Sequence, residues 1–179
     1  TIELVRKSGV VVDSSATLLQ YFEARWSDEQ YKLHCRAAQH LGQIVDEVFG
    51  YIRSAIPSSQ VLTEYDVQQF MLSEFQKRQL TTSSAPNCSV NANSANPHYE
   101  PTAALHAPIQ KGDFVLIDLW AKCDIPNSVY ADITWVAYVG SSVPSEYENI
   151  FQVVKGGRDA ALTFVTESLQ RGQEVRGYA

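Results

Sequence analysis

Two aspartates lie inside segments that otherwise have the apolar composition of β-strands. They are Asp118 and Asp132, in the stretch VLIDLWAKCDIPNSVYADITW. In a hairpin that is symmetric about Ile125 these two residues are paired, because both lie seven positions from it. Directly opposite side chains on antiparallel strands have Cβ atoms about 4.5–5.5 Å apart. Two ionised carboxylates at that separation repel each other, and apolar surroundings strengthen the repulsion.

Three arrangements can relieve this repulsion. Both carboxylates can be exposed to water at a sheet edge, one of them can be protonated in a shared-proton dyad, or a cation can lie between them. Carboxylate oxygens suit magnesium, calcium and manganese, and an added histidine favours zinc or iron. The residue types and their spacing leave all three arrangements open.

The composition is that of a globular protein with one hydrophobic core. The chain has 179 residues, of which 45% are hydrophobic and 19% are charged. Its net charge of −6 argues against a nucleic-acid partner, because phosphate binding needs a basic surface. No apolar run approaches the length of a membrane span, so we expect no membrane partner. Three widely spaced cysteines without a CxxC pair favour a reducing, cytoplasmic setting.

Both ends of the chain have the character of cut ends. The sequence starts at Thr1 without a methionine and stops at Ala179 in EVRGYA, without a polar tail. We therefore expect residues 1–179 to be one truncated domain, incomplete at its C-terminal end. Proteolytic processing would explain the start equally well.

The surrounding sequence predicts the helices that support the aspartates. A strand or hairpin with Gly9 at its turn is expected near the N-terminus, followed by a short helix in SATLLQYFEAR. A long helix is predicted after Ser27, which has capping-box spacing to Gln30, and Pro57 ends it. A second amphipathic helix has Thr63 as its N-cap. The apolar residues of the long helix predict one buried face, made of Tyr31, Cys35, Ala38, Leu41, Val45, Val48 and Ile52.

The polar segment TTSSAPNCSVNANSANPHYEPTAALHAP permits two interpretations. It is rich in Ser, Asn, Ala and Pro, and Glu100 is its only charged residue apart from histidines. It is either a solvated loop or an active-site segment with a short strand at residues 88–90. Strands are then predicted at about 114–122 and 129–139, before a helix in which Ser145 and Glu148 have capping-box spacing. This order predicts an α+β fold with an antiparallel sheet covered by helices on one face.

The stretch GDFVLIDLWAKCDIPNSVYADITWVAYVG resembles the pita-bread metallopeptidase family. That family includes methionine aminopeptidase, prolidase, aminopeptidase P and the metal-free creatinase. The similarity lies in an aspartate-bearing strand followed by a second strand of the form Asp-Ile-Thr, and upstream in NANSANPHY, and it is closest to the Xaa-Pro-cleaving branch. The resemblance implies a pita-bread fold in which Asp118 and Asp132 are two of five metal ligands and His98 binds substrate and assists proton transfer.

The resemblance also implies an activity and its cofactors. We expect a di-metal aminopeptidase or Xaa-Pro peptidase that acts on peptides near their N-terminus, with two divalent ions of manganese, cobalt or zinc. The remaining ligands, one histidine and two glutamates, lie downstream of this sequence. The chain by itself is therefore expected to be inactive, to be metal-free or at most a weak metal binder, and to form a homodimer through exposed apolar surface. The alternatives are a non-catalytic module that binds peptides or proteins, and a metal-free hydrolase of the creatinase type.

Two features depart from the family pattern. The aspartates are 14 residues apart (132 minus 118), which is more than the family usually shows. A bulge or an irregular turn in CDIPNS can absorb the extra residues. Trp135 follows Asp-Ile-Thr where many members have a basic residue, which affects the expected substrate preference more than metal binding.

Overall fold

A computed structural model describes residues 2–23, 25–58 and 61–173 of the chain. Its helices and antiparallel strands confirm the predicted α+β class. Two compact units are formed, residues 1–137 and residues 138–179. The helices are α1 (Ile2–Lys7), α2 (Ala16–Glu23), α3 (Asp28–Ala55), α4 (Glu64–Lys77) and α5 (Ser145–Gln170). The strands are β1 (Leu80–Thr81), β2 (Asn87–Val90), β3 (Phe114–Cys123) and β4 (Ala131–Tyr138), and a 3₁₀ helix covers Asn91–Ala95.

Strand β3 is the centre of the sheet. Strands β1 and β2 both pair with it in antiparallel orientation, and β4 pairs with it as well. In the β2–β3 ladder, Asn87 lies opposite Asp118 and Val90 lies opposite Val115. Every second residue of β3 is buried, from Val115 to Cys123, so one face of this strand belongs to the core.

Helices α3 and α4 cover that buried face. The capping box predicted for α3 is confirmed: the Ser27 side chain accepts from the Gln30 backbone, and the Gln30 side chain accepts from the Ser27 backbone. Helix α4 is likewise capped by Thr63. Helix α3 packs on β3 and α4 packs on β2, which leaves the other face of the sheet to the aspartates.

The buried face predicted for α3 was wrong in its first half. Tyr31 is 60% exposed, and Cys35 and Ala38 are exposed as well. The residues that are buried are Leu33, Ala37, Leu41, Ile44, Val45, Val48 and Ile52. Both sets have helical spacing, so periodicity alone could not choose between them, and packing against the sheet did.

Three other local predictions also differ from the structure. The N-terminal hairpin is instead helix α1, whose Glu3 in the first turn and Lys7 in the last turn complement the helix dipole. Gly9, with φ +82°, follows that helix. The β3–β4 connection closes with a hydrogen bond from Ser128 N–H to Ile125 O, so Ile125 begins the turn and is not its centre. Helix α5 has Pro144 as N-cap, without the predicted side-chain cap.

In the unit formed by residues 138–179, α5 exposes most of its apolar side chains. Ile150, Val153, Val154 and Phe164 are each more than 60% exposed. Gly156 and Gly157, in the middle of this helix, have open space where a Cβ would lie. Among the described residues, no helix is both long and apolar enough to cross a membrane.

Candidate active site

Asp118 lies in the middle of the central strand, on the face that α3 does not cover. Its neighbours Ile117 and Leu119 are fully buried on the opposite face, because side chains alternate along a strand. Asp118 itself is half-buried. Its Oδ1 accepts a hydrogen bond of 2.6 Å from the Thr134 hydroxyl on the neighbouring strand β4. This contact fixes which face of β4 meets the carboxylate.

Asp132 lies two residues before Thr134 and therefore on the same face of β4. Its side chain is exposed, yet partial burial and then the negative charge of Asp118 raise the pKa of Asp132 above its ordinary value of 3.8. A hydrogen bond with the Ile133 backbone acts in the opposite direction. The two carboxylates thus lie on one sheet face, close enough to repel each other.

Two further oxygen atoms belong to this face of the sheet. Asn87 is paired directly with Asp118, and Ser89 with Leu116, and directly paired residues point to the same side. Within the described part of the chain, the Asn87 Oδ1 and Ser89 Oγ atoms are buried without a hydrogen-bond partner. Buried polar atoms normally have partners, so these two are available to a polar group that the described residues do not supply.

The donor set fits a hard divalent cation only in part. Two repelling carboxylates beside an unpartnered amide oxygen provide the oxygen ligands that such ions prefer, and a cation would relieve the repulsion. However, residues 2–23, 25–58 and 61–173 contain no group of three or more His, Cys, Asp or Glu side chains that could hold a metal. Asp118 and Asp132 can therefore contribute to a metal site but do not complete one.

His98 lies in a turn after the 3₁₀ helix, within the segment 90–107, which we call the His98 loop. The side chain of His98 is exposed. Its backbone N–H donates to Asn96 Oδ1 at 3.0 Å, and Tyr99 N–H donates to Asn96 O at 3.0 Å, which closes the turn. In the described structure no hydrogen bond or ion pair joins His98 to either aspartate, so its catalytic role remains a prediction.

Glu64, the first residue of α4, connects several parts of the His98 loop. It is completely buried. Its Oε1 accepts from Val90 N–H at 2.7 Å and from Asn93 Nδ2 at 2.9 Å. Its Oε2 accepts from the Tyr99 hydroxyl at 2.5 Å and from Ala107 N–H at 2.6 Å. All four partners donate, which matches an ionised carboxylate, since that group only accepts.

The buried carboxylate also affects two neighbouring ionisable groups. Burial, followed by the hydrogen bond to Glu64, raises the pKa of Tyr99. Burial, followed by the charge of Glu64, raises the pKa of the Cys88 thiol. Both groups are therefore held in their neutral forms, and Tyr99 remains a hydrogen-bond donor to Glu64 at physiological pH.

Sequence reasoning missed Glu64 and Asn87. An acid directly after an N-cap is ordinarily a solvated first-turn residue that interacts with the helix dipole, so the sequence offered no reason to consider Glu64 buried. Asn87 precedes the strand predicted at residues 88–90. Its pairing with Asp118 depends on the β2–β3 register, which no local pattern specified.

The fold has clear relatives among solved structures. It is similar to a dipeptidase from Pyrococcus horikoshii OT3 (TM-score 0.66, 19% identity, 84% of this chain and 39% of that one). It is also similar to a prolidase from Thermococcus sibiricus (TM-score 0.62, 21% identity, 90% and 42%). A third relative is an X-prolyl aminopeptidase from Caenorhabditis elegans, described as a cytosolic enzyme with a di-nuclear active site (TM-score 0.61, 17% identity, 72% and 21%). These similarities confirm the pita-bread-type fold.

This chain spans about two fifths of the length of the first two of these structures. A comparison with curated protein sequences finds no significant match. The family model of "Metallopeptidase family M24", by contrast, matches residues 33–178, which include both aspartates, His98 and Glu64. Because this match covers most of the sequence, the chain belongs to metallopeptidase family M24.

Proposed function

We propose that this chain is part of a di-metal peptidase of the aminopeptidase P or prolidase type, which hydrolyses peptides near their N-terminus. The observation that carries the proposal is the convergence of Asp118 and Asp132 on the sheet face that α3 leaves free. Burial and then the negative charge of Asp118 raise the pKa of Asp132, and a bound cation would offset the repulsion between the two carboxylates. Membership of family M24 supports a metallopeptidase as the general class.

Asp118 and Asp132 would hold divalent ions in the intact domain, with manganese, cobalt and zinc as the expected metals. Bound metals in such sites polarise the scissile carbonyl and lower the pKa of water. Thr134 orients Asp118 by donating to its Oδ1. His98 would bind the substrate or carry a proton during hydrolysis. The ligands that complete the site would come from residues outside this sequence.

The proposed substrate is a peptide with proline in the second position. The support is that the structural relatives include a prolidase and an X-prolyl aminopeptidase. We place the protein in the cytoplasm, in line with its free cysteines Cys35, Cys88 and Cys123.

We also propose a homodimer, because exposed apolar side chains on α5 favour association. Sedimentation of the purified protein would test it, and a monomer at micromolar concentration would refute it.

Peptide turnover by two matched proteins tests the activity. One is the 179-residue chain, and the other is the same chain extended by its native downstream sequence. Each is supplied with manganese, cobalt or zinc and an Xaa-Pro dipeptide or a longer peptide with proline second. We expect turnover by the extended protein, its loss in Asp132→Asn, and none by the 179-residue chain.

The controls distinguish the possible results. Asp124→Asn removes a nearby acid from the β3–β4 turn and should leave turnover unchanged. Robust hydrolysis by the 179-residue chain would contradict the proposed need for further ligands. An extended protein that binds metal but cleaves no peptide would favour a non-catalytic binding module. Activity that persists after complete metal removal would favour a creatinase-type hydrolase.

A further inference from the structure

Glu64 contacts both ends and the middle of the His98 loop. Val90 N–H and Ala107 N–H, from the two ends of the loop, donate to the two oxygens of this one carboxylate. Asn93 and Tyr99 donate to it from within the loop. The backbone N–H of Glu64 also donates to Ala107 O at 3.0 Å. One side chain of α4 therefore connects the two ends and the middle of the loop.

The contact with Tyr99 is the most direct link to the proposed active site. Tyr99 follows His98 in the sequence, and its hydroxyl lies 2.5 Å from Glu64 Oε2. The backbone of the same turn is closed by Asn96. The hydrogen bond of Tyr99 to Glu64 and the Asn96 turn restrict the backbone on both sides of His98. The His98 side chain itself is exposed.

We propose that Glu64 is a positioning residue: through its four accepted hydrogen bonds it holds the His98 loop in the conformation that presents His98 to the substrate. The proposal rests on the proposed function insofar as His98 acts on a peptide. None of the four hydrogen bonds that the Glu64 carboxylate accepts within the described part of the chain comes from His98 or from the strands with the aspartates. Its effect is transmitted through Tyr99 and through the loop ends at Val90 and Ala107.

Only a carboxylate can accept all four of the hydrogen bonds that Glu64 receives. A glutamine in its place has one acceptor oxygen and one donor NH₂ group. The NH₂ group would face a backbone N–H whichever way the amide is turned, because Val90 N–H meets one oxygen and Ala107 N–H meets the other. Glu64→Gln thus removes at least one loop contact while keeping the size of the side chain.

The test uses hydrogen exchange and the NMR resonance of the His98 ring in the natural full-length protein. In Glu64→Gln we expect amide exchange in the His98 loop to accelerate at least about tenfold, as for a lost hydrogen bond to a charged group. The His98 resonance, identified with His98→Gln, should shift. In Tyr99→Phe, which removes only the hydroxyl, the His98 resonance should shift while Ala107 remains protected. If Glu64→Gln does not fold, this milder variant still tests the proposal, and an unshifted His98 resonance in it would overturn the proposal.

Glu74→Gln is the matched control. Glu74 is also a buried carboxylate on α4, but its partners are Lys77 and Arg78 and not the loop. This variant should leave the His98 resonance unchanged. Unchanged loop exchange and an unshifted His98 in a folded Glu64→Gln protein would overturn the proposal. Equal effects in Glu74→Gln would also overturn it, since they would indicate general destabilisation.

Peptide kinetics separate this proposal from the proposed function. If the full-length protein is a peptidase, Glu64→Gln should lower kcat more than it changes KM, with metal content unaffected because Asp118 and Asp132 are intact. Unchanged kcat and KM, or lost metal, would contradict a role through His98. If the protein cleaves no peptide, the proposed function fails, while exchange and the His98 resonance still decide whether Glu64 positions the loop.

Discussion

The Thr134 hydroxyl on β4 donates a 2.6 Å hydrogen bond to Oδ1 of Asp118 on β3. It is a contact between side chains of neighbouring strands, and it uses only one of the two oxygens of Asp118. The bond restricts the rotation of the Asp118 carboxylate. A proposed metal ligand is thereby held in one orientation.

Removal of the Thr134 hydroxyl should therefore weaken metal binding. In the full-length protein, Thr134→Val should lower manganese affinity by about 10–100-fold, the usual effect of losing a group that orients a ligand. Thr134→Ser, which keeps the hydroxyl, should bind nearly as well as the natural protein. Isothermal titration with manganese measures both. Equal affinity in Thr134→Val and the natural protein would show that this bond does not matter to the metal.

Replacement of Asp132 should stabilise the metal-free protein at neutral pH. Because its pKa is raised in the fold, the folded state binds a proton more tightly than the unfolded state does. Stability therefore falls as pH rises from about 3.8, the ordinary value, through the folded pKa. Asp132→Asn removes this effect, so its melting temperature relative to the natural chain should rise with pH across that window. Calorimetry at pH 3 to 7 with a chelator measures this, and a relative decrease would contradict it.

Glu74 should have the opposite pH dependence. The hydrogen bond from Lys77, reinforced by Arg78, lowers the pKa of Glu74 below its ordinary value of 4.5. Arg78 also contacts Glu47 on α3 at 2.5 Å, so the cluster connects two helices. Its stabilisation is present above pH 4.5 and disappears as pH falls through the lowered pKa.

Glu74→Gln should accordingly cost about 1–3 kcal/mol of unfolding free energy at pH 7. The difference from the natural chain should vanish at a pH below the folded pKa. Urea unfolding at pH 7 and at a pH below the folded pKa measures the difference. Glu146→Gln, on the exposed start of α5, is the control. A loss of unfolding free energy that does not depend on pH would show that Glu74 stabilises the fold through packing and not through its charge.

The cysteines should differ in reactivity. Cys35 is exposed, whereas Cys88 and Cys123 are buried, and burial together with Glu64 raises the pKa of Cys88. Iodoacetamide at pH 8 should modify Cys35 on the order of tenfold faster or more, because the other two thiols react only after local opening. Mass spectrometry at successive times measures the order in which the three cysteines are modified. Cys35→Ser should abolish the fast phase.

Much of the local structure could be predicted from the sequence. The capping box of α3, the Thr63 N-cap of α4, and the strands with Asp118 and Asp132 depend on residues within a few positions of each other. Short segments of the sequence therefore determine their hydrogen bonds and side-chain alternation. The helical N-terminus was mispredicted because the turn at Gly9 is equally compatible with a hairpin.

Tertiary packing decided the rest. The buried face of α3 had two possible sets of residues with the same spacing, and contact with β3 selected the one that contains Leu33 and Ala37. Glu64 is buried, and its carboxylate accepts hydrogen bonds from four donors of the His98 loop. Those donors are 26 to 43 residues away in the sequence. Hydrogen bonds over such separations depend on where the chain folds back, which local propensity does not specify.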